Sequence, residues 1–181
     1  FIKLSTYHTS VLLHEAVDAL NIKPDGVYVD ATFGGGGHSR ELLKRLGSKG
    51  KLFAFDHDKD AWNNAPDDKR FVLVQENFKY LKRFLRYYNA PKVDGILADL
   101  GVSSFQFDTA DRGFSIRFDA PLDMRMDERL KVTAADILKD YAEKDLHKMF
   151  EQYGEVRNAK TLASTIAAKR KSAMINTIDQ F

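Results

Sequence analysis

Hydrophobic positions change their rhythm partway along the chain. Up to about residue 108, short apolar runs alternate with helical patterns. YVDA (28–31), KGKLFAFD (49–56), RFVLV (70–74) and KVDGILAD (92–99) are β-rich runs of strand length. The segments 38–46, 59–64 and 78–88 lie between them and read as helices. Strand–helix alternation with short connections predicts parallel βαβ units, hence an open α/β sheet covered by helices. Ahead of the first strand, Thr9 or Ser10 is expected to cap a helix through Leu20, and Pro24-Asp25-Gly26 to form a turn. Beyond 108 the strand pattern stops. Residues 108–131 are rich in Asp, Arg, Met and Gly and read as an irregular connection. From Thr133 the pattern is helical, including the final TIDQF (177–181). Leu146, Met149, Phe150 and Tyr153 form one apolar stripe; Leu162, Ala163, Ile166 and Ala167 form another. The expected division is an α/β part, 1–107, and a linker plus helices, 108–181.

Composition narrows the chemistry more than the partner. Of 181 residues, 44% are hydrophobic and 30% charged, as in ordinary globular domains. The 28 Lys+Arg and 26 Asp+Glu leave a net charge of +2, so any nucleic-acid argument rests on local charge. The absence of cysteine excludes disulfides, thiolate nucleophiles and Cys-ligated metal sites. The five histidines lack the H-E-x-x-H spacing, and no metal is expected. No apolar run approaches the roughly 20 residues that span a bilayer. FIKLSTYHTS lacks a signal-peptide apolar region, so the expectation is a cytoplasmic protein without membrane attachment.

The strongest local signal is YVDATFGGGGHS (28–39), a strand running into four glycines and then a helix. Consecutive glycines are entropically costly on folding. They suit a ligand that approaches the backbone closely beside a helix N-terminus. The G-x-G-x-x-G dinucleotide pattern fails in every register, and no Gly-Lys-[Ser/Thr] follows. What fits is Asp30-x-Thr32-x-Gly34-x-Gly36. It resembles the acidic-x-Gly-x-Gly-x-Gly motif of class I methyltransferases that use S-adenosylmethionine, with Asp30 near the cofactor's positive groups. Asp56, at the end of KLFAFD, stands where such folds grip ribose hydroxyls. Its competing role is a helix cap, which Asp58 fills equally well. Phe78 is a candidate cover for an adenine face; alternatively it shares a core stripe with Leu81, Leu85 and Tyr88.

Asp99 ends the fourth strand, where doubly wound sheets place their reactive centre. Amino-directed nucleic-acid methyltransferases usually carry [Asp/Asn/Ser]-Pro-Pro-aromatic there. A carboxylate accepting an exocyclic amine's hydrogens orients that poorly nucleophilic nitrogen. Asp99-Leu100-Gly101-Val102 keeps the acid and lacks the prolines and the aromatic. Asp99 is therefore a candidate catalytic contact, and otherwise a strand-exit cap or a cofactor contact.

HTSVLL (8–13), DATFGGGGHS (30–39), DGILADLGVSSFQFD (94–108), RGFS (112–115), PLDMRMD (121–127) and YGE (153–155) together resemble the bacterial 16S ribosomal RNA cytosine-N4 methyltransferase family, known as RsmH or MraW. The resemblance implies a Rossmann-like class I fold with an inserted helical substrate-recognition domain. It implies cofactor contacts at Gly36, Gly37, His38, Asp56, Phe78, Asp99 and Gln106, beside Asp30 and Gly34 of the loop. It implies S-adenosylmethionine as methyl donor and a cytidine of the small-subunit decoding centre as substrate. The other readings are a same-fold methyltransferase acting on protein or a small molecule, or a non-catalytic RNA- or cofactor-binding module. A homodimer is an open alternative to a monomer.

Ser10, Gly35 and Phe105 stand where the family usually has Pro, Arg and Pro, and Gly35 is expected to loosen the loop. The family's C-terminal motifs do not occur, and four strands stand against the family's seven. The chain is therefore expected to be the N-terminal part of a longer protein.

Two basic clusters are candidates for RNA. Lys79, Lys82, Arg83, Arg86 and Lys92 lie in a stretch without acids, as do Arg157, Lys160, Lys169, Arg170 and Lys171. Either is also consistent with the polar face of an amphipathic helix. The second cluster, with Arg112 and Arg125, falls in the part assigned to substrate. Asp119, Asp123 and Asp127 around Arg125 read as a solvated loop tied by Arg–Asp pairs, with magnesium or phosphate organisation as the alternative.

Overall fold

The computed structural model describes residues 10–181. They form two compact units that divide between Ser103 and Ser104, a few residues before the change of pattern.

The first unit is a four-stranded sheet of β1 (Val27–Asp30), β2 (Lys51–Phe55), β3 (Phe71–Val74) and β4 (Gly95–Leu97). The strand order is β3-β2-β1-β4 and every pairing is parallel. All four expected runs are strands. Among the described residues β4 pairs with β1 alone, and Ile96 is 49% exposed. The helices of this unit are α1 (Leu13–Ala19), α2 (Gly37–Arg45), α3 (Lys59–Trp62) and α4 (Leu81–Tyr87), the last entered through a 3-10 turn, Phe78–Tyr80. One face of the sheet carries Tyr28, Leu52 and Leu97 against Val17, Leu42, Leu43 and Leu46. The other carries Val29, Phe53, Phe55 and Val74 against Leu85 and Ala90. Alternation along each strand thus feeds two apolar layers, as buried parallel sheets require.

The first helix departs from expectation. Its N-cap is Leu12, in left-handed backbone, with no side-chain cap bond. Ser10 lies ahead of it, and Thr9 and His8 fall outside the described residues. At α3 the cap is Asp58, whose carboxylate accepts from Asp60 N. That leaves Asp56 free of the capping role.

The second unit holds α5 (Ser104–Asp108), a 3-10 turn (Ala110–Arg112), α6 (Ala134–Asp140), α7 (Glu143–Gln152) and α8 (Ala159–Lys169). Thr133 starts α6 with a reciprocal capping box to Asp136. Its core joins Leu122, Leu138, Leu146, Ala163, Ile166 and Ile175. Of the two apolar stripes, Leu146, Met149, Phe150, Leu162, Ala163 and Ile166 join this core; Ala167 does not, and Tyr153, which follows α7, is 84% exposed. TIDQF is not a helix. Thr177 bridges Pro121 antiparallel, and Ile178 N donates to Ala120 O (3.0 Å), because Ile175 and Ile178 join this core through that bridge.

Candidate cofactor site

The glycine segment leaves β1 and enters α2 at the carboxyl ends of the strands. Gly34 and Gly36 have φ of +51° and +75°, a region that disfavours side chains. A Cβ at Gly36 would lie 2.9 Å from the Phe33 ring. At Gly34 the nearest atom to such a Cβ is Thr32 O at 4.0 Å, so the space beside this backbone is open. That opening lets a ligand approach the backbone closely. Gly37 opens α2, where a Cβ would fall 2.1 Å from Ser10 Oγ. His38 is buried, with Nε2 3.1 Å from Val11 O.

The loop is firmly held. Gly34 N donates to Asp56 Oδ2 (2.8 Å), and Asn64 Nδ2 donates to Gly34 O (3.1 Å). Arg40 donates to Gly35 O and, through Nη1, to Asn64 O (3.2 Å). The looseness expected from Gly35 is therefore absent: its carbonyl is tied to α2. Arg40 and Asn64 had no signal of this role in the sequence, because the bonds join segments 5 and 30 residues apart.

Asp30 has no accessible surface. Its carboxylate accepts from Thr32 N (3.1 Å) and from the Ser39 hydroxyl (2.7 Å). The expected place beside the cofactor's positive groups is thus corrected. Asp30 supports the loop from beneath, and nothing in solution reaches it. Burial raises its pKa against the two hydrogen bonds.

Asp56 is only partly buried, and burial again raises its pKa. It accepts from Gly34 N on one oxygen and from Asp58 N (2.9 Å) on the other. A carboxylate has about four acceptor sites, so each oxygen retains one for a hydroxyl. Beside it, Asn77 Nδ2 lies 3.2 Å from His57 Nδ1, joining the exits of β2 and β3. Phe78 follows and is 39% exposed, while Leu85 is buried and Leu81 and Phe84 pack on the core. Its ring is therefore available at the surface and is not part of the core stripe.

Asp99 is exposed past β4, and its N–H donates to Thr32 Oγ1 (2.7 Å). That bond ties the β4 exit to the β1 exit, across the point where the strand order reverses. Gln106 is buried on α5, in the second unit. Among the described residues no group of His, Asp and Glu could hold a metal, and no helix is long and apolar enough to cross a membrane.

The candidate RNA residues divide. Arg112 is 5% exposed and donates to the carbonyls of Arg125 (3.0 Å) and Met126 (3.2 Å). Arg125 pairs with both oxygens of Asp123 and donates to Glu128 O and Leu130 O. Arg170 Nη1 donates to Leu138 O (2.8 Å) and Tyr141 O (2.7 Å) at the end of α6. These three are corrected to structural roles, because their guanidinium donors are committed to backbone and carboxylate. Lys169 donates to Gln180 O but stays exposed. Arg157, Lys160 and Lys171 are exposed. Asp123–Arg125 and Asp127–Arg129 form the expected pairs, and Asp119 accepts from Asp179 N.

A parallel sheet with a glycine loop leaving β1, an acid at the end of β2 and a second acid past β4 is the Rossmann-like architecture of class I methyltransferases. The family model described as the MraW methylase family matches residues 5–181, and the chain belongs to that family. It is 58% identical over 177 residues to a ribosomal RNA small subunit methyltransferase H from Christiangramia forsetii, covering 98% of this chain and 59% of the relative. Proteins of the same name from Flavobacterium psychrophilum and Bacteroides fragilis are 60% and 55% identical, over 93% and 98% of this chain and 58% of each relative. The chain thus spans under two thirds of the length of the curated relatives it matches.

Proposed function

We propose that the protein transfers a methyl group from S-adenosylmethionine to the exocyclic N4 amine of a cytidine in the decoding centre of 16S ribosomal RNA, in the cytoplasm. The observation that carries this reading is the bond from Gly34 N to Asp56, which joins an open glycine backbone to a carboxylate with acceptor sites to spare. The name shared by the relatives supports the ribosomal RNA part of it.

When bound, the cofactor supplies an electrophilic sulfonium methyl. Gly34, Gly36, Gly37 and His38 receive its amino-acid end, Asp56 its ribose hydroxyls and Phe78 its adenine face. The Asp99 carboxylate accepts from the amine hydrogens and directs the nitrogen lone pair. Its contribution is positioning and electrostatics, and no covalent intermediate is needed. The helical unit supplies substrate recognition, with Arg157, Lys160, Lys169 and Lys171 as its exposed cations.

Titration calorimetry of the full chain with S-adenosylhomocysteine tests the cofactor site. Binding is expected, weakened at least about tenfold in Asp56→Ala, which removes a charged hydrogen-bond acceptor. Absence of heat in the wild type refutes the reading. For catalysis, tritiated-methyl transfer to small ribosomal subunits at saturating cofactor is expected to fall roughly 100-fold or more in Asp99→Ala. Unchanged turnover removes Asp99 from the reaction, and transfer to protein in place of RNA identifies the substrate class wrongly assigned.

A further inference from the structure

The 3-10 turn and α4 carry two opposed stripes. Leu81, Phe84, Leu85 and Tyr88 recur at helical spacing and face inward. Leu85 is buried, Leu81 and Phe84 pack on the sheet core, and the Tyr88 ring lies 5.5 Å from that of Phe53. Lys79, Lys82, Arg83 and Arg86 also recur at i, i+3, i+4 and i+7, on the opposite side, and all four are exposed. No acid occurs between Asn77 and Val93. Among the described residues none of the four has an ion-pair partner, and Lys79 Nζ lies 4.9 Å from the centre of the Tyr80 ring. Four other cations of the same unit are paired with acids: Lys23 with Asp94, Lys44 and Arg45 with Glu41, Arg70 with Asp68. Tyr80 and Tyr87, seven residues apart, flank the stripe on one side and are 41% and 76% exposed.

Four exposed cations beside the partly exposed Tyr80 and the exposed Tyr87, whose ring also meets Tyr88 edge-on (5.1 Å), match a single-stranded phosphodiester chain. The cations meet phosphates, and the rings offer stacking surfaces to unpaired bases. An anionic membrane fits less well, because the apolar side of α4 is already buried in the core and has nothing to insert. We propose that this stripe is a second RNA-binding surface, on the cofactor unit itself, which holds a single-stranded segment of the ribosomal RNA substrate. It rests on the reading of the protein as an RNA methyltransferase.

The test uses the full chain and a fluorescently labelled single-stranded oligoribonucleotide, with affinity measured by anisotropy across a salt series. Replacing Lys82, Arg83 and Arg86 together by alanine is expected to flatten the log K against log salt slope by about 2, or ~0.7 per lost phosphate contact. At about 0.1 M salt that is roughly a hundredfold loss of affinity. Tyr87→Ala is expected to cost about fivefold or more at every salt concentration. Circular dichroism and S-adenosylhomocysteine affinity of both variants are expected to match the wild type. An unchanged slope in the folded triple variant overturns the proposal. So does loss of binding to phosphatidylserine vesicles with RNA binding kept, which identifies a lipid surface. If the wild type binds no S-adenosylhomocysteine, the methyltransferase reading fails. If it binds both ligands and the triple variant does too, the surface alone fails.

Discussion

The arginines of the helical unit and the cations of α4 look alike in sequence and behave oppositely in the structure. Arg112, Arg125 and Arg170 spend their donors on backbone carbonyls and on Asp123. Lys82, Arg83 and Arg86 make no ion pair among the described residues and stand in solvent. A guanidinium's five donors suit it to gathering carbonyls from an irregular segment that makes few backbone bonds of its own. Residues 113–132 are such a segment, so its arginines act as internal fasteners. A regular helix satisfies its own backbone and leaves its charges for something else.

Substitutions can break this contrast. Arg112→Ala is expected to have the largest effect, a loss of about 2–4 kcal/mol in urea denaturation, because it strands buried carbonyls. Arg112→Lys should not restore it, since an ammonium cannot span the same acceptors. Arg125→Ala is expected to cost less, about 1–2 kcal/mol, as Arg125 and Asp123 keep 23% and 21% of their side-chain surface in water. The same pair gives a pH dependence of known sign. Arg125 holds the Asp123 pKa below its usual 3.8. The stabilisation is therefore complete above about pH 4 and lost as pH falls through the lowered value. The gap between the stability curves of wild type and Arg125→Ala should narrow as pH falls below about 4, leaving the share due to the Glu128 and Leu130 carbonyls. Smallest of all, Lys82→Ala, Arg83→Ala and Arg86→Ala should each change stability by less than about 0.5 kcal/mol. A loss of 2 kcal/mol from any of them would erase the distinction.

Much of this was readable in advance where periodicity or local chemistry decides. The four strands announce themselves as apolar runs, and the helical pattern is read from Thr133, where α6 is capped. Asp56 is legible because its spacing from the glycine loop is characteristic of the fold. The failures share one cause, a partner distant in sequence. TIDQF has helical composition, yet Pro121 draws it into a bridge. Asp30 reads as a ligand contact until Ser39 and Thr32 enclose it. Asn64 is an ordinary polar residue after a short helix, and only the fold brings it to Gly34 O. Arg112 carries no mark in sequence to distinguish it from Arg157.

The strand order has a consequence for the newborn chain. β1 precedes the other three strands in the chain and lies between β2 and β4. β2 emerges to find β1 ready, β3 finds β2, and β4 finds β1. Each of β2, β3 and β4 thus finds an earlier strand to pair with, so these four can assemble outward from β1 as the chain leaves the ribosome. The longest wait belongs to the β1 edge, which stays bare until Gly95 pairs with Tyr28. That interval, the slowest closure in the sheet, is when the nascent protein is most exposed to mispairing.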